Sequence, residues 1–217
     1  LVGQHAEDPD YIEPLGRGAA LLLREGQSEV IPVIENVLGR ADTDFRCELI
    51  QSLMTAAQEE SVEDALSDYL SGKNLSELSS LCLALALRGG SGELHDARVP
   101  EEAPQNGAEF LCSFHALGAM ANRAHNADKL KDILRNGPGE ERYCAASYLG
   151  LARVQSALPV WASASDQVES SWELRTLNAA MLVRRGHRLG MRWFAKNAQQ
   201  RQNAQKPPMA IQLARAV

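Results

Sequence analysis

A chain of 217 residues with 22 Lys and Arg against 28 Asp and Glu is acidic overall, at net charge −6 and a pI near 5.4. Its 45% hydrophobic content is enough to bury a continuous core, and no run of about 18 uncharged apolar residues exists that would span a bilayer. Aromatics at 5%, with alanine and leucine dominant, exclude alternating β-branched strands and predict an all-α fold in one elongated domain over residues 1–217.

The chain opens on Leu1 rather than methionine, so a trimmed, processed or partial chain is expected, and a cytoplasmic location is only an expectation. Residues 1–14 are acidic and hold two prolines, which reads as an irregular lead-in. Residues 15–24 follow as a first helix with Leu15, Ala19, Leu22 and Leu23 on one face, ending at Gly26.

The organising stretch is residues 30–54. Val30, Ile31, Val33, Ile34, Val37 and Leu38 recur at helical spacing, Ser28 is placed to cap them, and Gly39 stops the helix. Asp42 or Thr43 then caps a second helix carrying Phe45, Leu49, Ile50, Leu53 and Met54. A pair this short cannot bury both faces, so it needs neighbours. They come at residues 62–87, 127–152 and 157–183, each again helix, turn, helix. Leu38, Leu70 and Leu134 mark the register at separations of 32 and 64, leaving room for one more unit between the last two. Ser61 is read as the cap of residues 62–70, and Asn74 as the start of a nearly all-round apolar helix that should be central. Cys47, Cys82, Cys112 and Cys144 follow the same period, one in the second helix of each unit, and read as reduced core thiols, with disulfides between repeats as the alternative.

The missing first helix falls at residues 89–107, where glycines, prolines, Glu101 and Glu102 break the pattern. Such a loop is either functional or disordered, and a short degenerate helix at residues 93–98 is compatible with both. Helices resume at residues 108–121 and at Asn126 or Ala127, with a Gly137-Pro138-Gly139 turn, and close with residues 189–200. Residues 201–217 form a polar stretch and a tail whose Met209, Ile211 and Leu213 are expected to dock on the body.

These units resemble the HEAT repeats, in particular the short HEAT-like repeats of the phycobilisome-lyase type. The resemblance rests on an early proline followed by apolar pairs, as in Ile31-Pro32-Val33-Ile34 and Leu158-Pro159-Val160-Trp161. It also rests on an acidic residue at the turn with an arginine just inside the second helix, as in Asp42 with Arg46 and Glu141 with Arg142. The unit at Val62 lacks both features. The resemblance implies a right-handed α-α superhelix, a HEAT-like α-solenoid of about five to six helix pairs with one degenerate. It implies little about function, since such folds host scaffolds, inhibitors, immunity factors, bilin lyases and DNA-repair enzymes.

Charge is unevenly divided. Residues 171–217 carry nine Lys and Arg against Glu173 alone, net +8, which leaves 13 basic and 27 acidic residues, net −14, in residues 1–170. The asymmetry suggests an acidic protein partner for the basic end or a basic one for the acidic body, bound through the concave face or the charged ends, and at the basic end through Arg184, Arg185, Arg188 and Arg192 with Trp193 interleaved. Nucleic acid is disfavoured, because the acidic body repels a long polyanion. No phosphate loop, HExxH, CxxC pair or nucleophile elbow is present, and no cofactor is implied. His5, His95, His115, His125 and His187 are scattered, and Cys112 with His115 at i, i+3 supplies two metal ligands where a closed site needs more. A loop site at His95, Asp96, Arg98, Glu101 and Glu102 is the enzymatic alternative, with His95 and Asp96 doing acid/base work in a lyase-like reaction. The first expectation is a non-catalytic adaptor, assembly factor or inhibitor, a bacterial immunity-type protein among them.

Overall fold

A computed structural model describes residues 9–95, 97–100, 107–167 and 169–197. Among these residues the fold is all-α: eleven α-helices and two short 3-10 turns, with an isolated parallel bridge between Asn74 and Arg98 in place of any strand. The chain forms two compact units, Leu1–Arg123 and Ala124–Val217. No helix among the described residues is long and apolar enough to cross a membrane.

The first unit holds α1 (Pro9–Arg24), α2 (Ile31–Arg40), α3 (Thr43–Ala56), α4 (Glu60–Leu70), α5 (Leu78–Gly89) and α6 (Ala108–Met120). α1 packs on α2 and α3, while α5 is flanked by α2, α3, α4 and α6. That central position explains the composition of α5. Leu81 to Leu87 are all fully buried, because neighbours meet this helix on every side. Each buried leucine contributes about 1.5–3 kcal/mol of transfer free energy.

Several boundaries differ from the sequence reading. α1 starts at Pro9, inside the expected lead-in, with Pro14 at its sixth position. A proline so near a helix start removes one backbone bond, and burial of Ala19, Ala20 and Leu23 beneath it fixes the helix regardless. Leu22, expected on that inner face, is 42% exposed. Ser28 does not cap α2; residues 28–30 form a 3-10 turn that delivers the chain to Pro32 in the first turn of the helix. α2 runs one residue past Gly39. Asp42 rather than Thr43 caps α3, its carboxylate accepting from the Phe45 N–H at 2.8 Å. α4 begins at Glu60, which places Ser61 inside it. Asn74 does not open α5: residues 73–75 are extended against Arg98, whose N–H donates to Lys73 O at 2.9 Å and whose carbonyl accepts from Leu75 N at 3.0 Å.

In the stretch where a degenerate unit was expected, residues 90–95 and 97–100 form an extended strap, with no helix at 93–98 among these described positions. Two glycines make this turn possible. A Cβ on Gly90 would lie 2.7 Å from Ala57 O, and one on Gly92 would lie 2.2 Å from Leu87 Cδ1, so the chain leaves α5 by passing hard against α3 and α5. Ser91 between them takes φ 91°.

The second unit holds α7 (Ala124–Asn136), α8 (Gly139–Leu151), α9 (Leu158–Asp166), α10 (Trp172–Arg184) and α11 (Arg188–Lys196). α7 starts two residues earlier than the first of its expected positions, and Asn122, at φ 60°, lies in the turn that ends α6. α8 and α9 both pack on α10, α7 packs on α8 and α9, and α11 lies on α10. The expected contacts of Met209, Ile211 and Leu213, like the rest of residues 201–217, lie outside the described residues.

One hydrogen-bond pattern recurs in three of the helix pairs. Arg46, fourth in α3, donates Nε to Leu38 O at 2.6 Å, in the last turn of α2. Arg142, fourth in α8, donates Nε to Leu134 O at 3.0 Å, in the last turn of α7. Arg175, fourth in α10, does the same to Ser165 O at 3.1 Å, in the last turn of α9. A helix leaves its last four carbonyls without intrahelical donors, and each arginine supplies one from the paired helix. The third member, Arg175, was not among the arginines matched from sequence. The cysteines lie in α3, α5, α6 and α8; none is in a disulfide, and Cys82, Cys112 and Cys144 are buried.

Candidate functional site

The basic end of the sequence becomes α11 and the turn before it. Gly186 at φ 67° closes α10, and the His187 ring nitrogen Nδ1 accepts from Leu189 N–H to start α11. Gly190 lets the helix press onto α10: a Cβ there would meet Ala179 O at 2.6 Å and Val183 N at 2.8 Å. Trp193, three residues on and so on the same face, is 5% exposed. Its indole N–H donates to Ser165 O at 2.8 Å, sharing that carbonyl's two lone pairs with Arg175. The ring lies 5.0 Å from Trp172, with the Arg175 guanidinium 5.8 Å from its centroid.

Trp193 is thus the pin of α11. The expectation that it meets a partner is corrected by its burial, which the inward side of an amphipathic helix requires. The outer side of α11 carries Arg188, Leu189, Met191, Arg192, Ala195 and Lys196, all exposed. Leu189 is 43% and Met191 62% exposed, so two apolar side chains stand in water on either side of the basic stripe. Sequence reasoning picked the arginines and missed these two: Gly190 and Trp193 at i, i+3 left Met191 off the buried stripe, whereas Leu189, at i−4 from Trp193, had the spacing of a buried residue.

Arg184 and Arg185 end α10 and are half-buried. Arg185 donates to Gly150 O at 3.1 Å, at the end of α8. Burial, then the charges of Arg184 and Arg153, push its guanidinium below its ordinary value. Arg153 is a third cation that the fold brings to this cluster across 31 residues of chain. Of the five residues proposed from sequence, two lie on the exposed face of α11, two flank it at the end of α10, and one is core.

Two of the five loop residues lie among the described ones. His95 is exposed, Arg98 is an exposed side chain on the bridged backbone, and Asp96, Glu101 and Glu102 lie outside the described residues. The strap does roof a cleft of about 280 Å³ against the end of α6, but neither His95 nor Arg98 lines it. Among the described residues no three of His, Cys, Asp and Glu are grouped as a metal ion would require, and His115 stacks edge-on against Phe114.

One ionisable cluster is well ordered. The Glu35 carboxylate on α2 accepts from Tyr69 OH at 2.6 Å, Ser80 Oγ at 2.7 Å and Lys73 Nζ at 3.0 Å. Burial alone would raise the Glu35 carboxyl, but the bonds from Tyr69, Ser80 and Lys73 with the ammonium's charge outweigh it and hold the group below the usual carboxylate value. Tyr69 is raised by burial and by its bond to the carboxylate, and Lys73 is raised by its partners against the opposing effect of burial. Charged Glu, charged Lys and neutral Tyr are each stabilised in their resting forms. That is the reverse of a poised base or nucleophile, so the cluster is an anchor joining α2, α4 and α5.

Compared with known proteins, the chain matches no family model, no curated protein and no solved structure.

Proposed function

We propose that this protein is a non-catalytic, protein-binding helical-repeat module, built as a HEAT-like α-solenoid, that meets an acidic partner through the outer face of α11. The observation that carries the reading is the exposure of Leu189 and Met191 on either side of the basic stripe Arg188, Arg192 and Lys196, on a helix held from behind by Trp193. Arginine and methionine are enriched at interface cores, and a basic stripe flanked by two exposed apolar side chains suits a partner surface that is acidic at its centre with apolar contacts beside it. The half-buried Arg184 and Arg185 extend the same positive field. The helix pairs, the early prolines and the arginine of the second helix support the HEAT-like reading. An adaptor, an assembly factor or an inhibitor would each use such a face.

The test is affinity capture from native lysate with wild type, with Arg188→Glu/Arg192→Glu and with Met191→Asp, after circular dichroism has shown the three to be equally helical. One protein retained by wild type, lost by the double variant and weakened by Met191→Asp is the expected result. A protein retained equally by all three removes α11 from the interface. Capture of nucleic acid instead would end the reading.

A further inference from the structure

The cleft under the strap lies in the first unit and plays no part in the surface proposed above. Its apolar lining is made by Leu94 and Val99 of the strap and by Leu117 and Ala121, and Val99 remains 36% exposed. Its charged lining is Arg88 from the last turn of α5, Arg123 from the turn after α6 and Glu93 from the strap, so two arginines from different elements line one cleft. Arg88 reaches only Gly92 O, at a long 3.4 Å, and none of these three side chains makes an ion pair among the described residues.

We propose that this cleft binds a small monocarboxylate with an apolar body of roughly ten heavy atoms, the size that a volume just below the usual range for drug-like ligands accommodates. The apolar body covers Val99 and Leu117. The carboxylate is taken by Arg123 and Arg88, whose planar guanidiniums match its two oxygens. Glu93 sets the charge limit. With two cations and one anion the described lining is net +1, which balances one negative charge and opposes a second, so a phosphate monoester dianion is held more weakly than a monocarboxylate, by repulsion from Glu93.

The probe is 4-phenylbutyrate, compared with 4-phenylbutylamine and phenyl phosphate by ligand-observed NMR and calorimetry on the full chain. The variants are Arg123→Gln, which is exposed and leaves the fold intact, and Glu93→Gln. 4-Phenylbutyrate is expected to bind wild type, the amine not to bind, and Arg123→Gln to weaken the acid about tenfold, as loss of one charge-assisted contact does. Phenyl phosphate is expected to bind only weakly until Glu93→Gln raises its affinity. No binding of 4-phenylbutyrate, equal binding of acid and amine, or an Arg123→Gln variant that binds like wild type would each overturn the proposal.

Discussion

Replacing Arg46 with alanine should be among the most damaging single changes in the first unit. The side chain is 3% exposed and donates to Leu38 O, to Ala41 O and to the Glu109 carboxylate, itself only 21% exposed. Alanine strands the two backbone carbonyls and leaves Glu109 without its cation, the Thr43 hydroxyl remaining as a donor to that carboxylate. Each buried acceptor left without a donor costs about 1–3 kcal/mol, and breaking a buried ion pair by removing one partner costs about 3–5 kcal/mol. Partial access of water to Glu109 holds the total to about 3–5 kcal/mol rather than the sum of the parts. Arg46→Lys keeps a cation near Glu109 but cannot fork to two carbonyls, so it should recover less than half of the loss. Arg142→Ala is the internal comparison: half-buried, with one backbone carbonyl and the neutral Gln167 and Ser170 as partners, it should cost about 1–2 kcal/mol. Urea unfolding followed by far-UV circular dichroism reads all three. A loss below about 1 kcal/mol for Arg46→Ala, or an equal loss for Arg142→Ala, would refute the argument from buried carbonyls.

The Glu35 anchor should make stability acid-sensitive. Because its folded value is held below 4.5, its contribution is complete above that pH and is lost as pH falls through the lower folded value. The stability gap between wild type and Glu35→Gln, measured by urea unfolding at stepped pH, should therefore be widest near neutrality and close below about pH 4. Gly190→Ala should lift α11 from α10, since the added methyl meets backbone atoms, and tryptophan emission should shift to the red. Gly150→Ala meets the flexible Met181 thioether at 2.7 Å and should leave the emission unchanged. Trp193→Phe keeps the packing but removes the donor to Ser165 O, and should lower the urea midpoint by an amount equivalent to about 1 kcal/mol, Arg175 retaining its bond to the same carbonyl.

Local chemistry made most helices legible. The period of 32 from Leu38 to Leu70, the prolines at 32 and 159 and the turn at Gly137-Pro138-Gly139 place α2, α4, α7, α8 and α9 to within a few residues, because amphipathic spacing and turn residues act over one or two turns of chain. The all-round apolar run 81–87 announced a central helix for the same reason. The acidic and basic portions of the chain were equally plain. Caps and starts were less so. Ser28, Ser61 and Asn74 all have side chains suited to capping, yet none caps its helix, because the route of the neighbouring chain decided where each helix begins.

What only the tertiary structure decided is which side of each element faces inward and which distant groups meet. Trp193 and Met191 lie two residues apart in one basic stretch. Packing on α10 buries the first to 5% and leaves the second 62% exposed, because Gly190 admits the α10 backbone on one side only. Arg153 joins Arg184 and Arg185 across the chain, and Arg88 and Arg123 line one cleft beside a strap that reads in sequence as a missing helix. The sequence by itself determined an all-α chain of paired helices with a charged end, since helix formation depends on spacing and composition near at hand. The faces on which ligands and partners act come from long-range burial, where the same arginine, tryptophan or leucine is core or surface according to what packs against it.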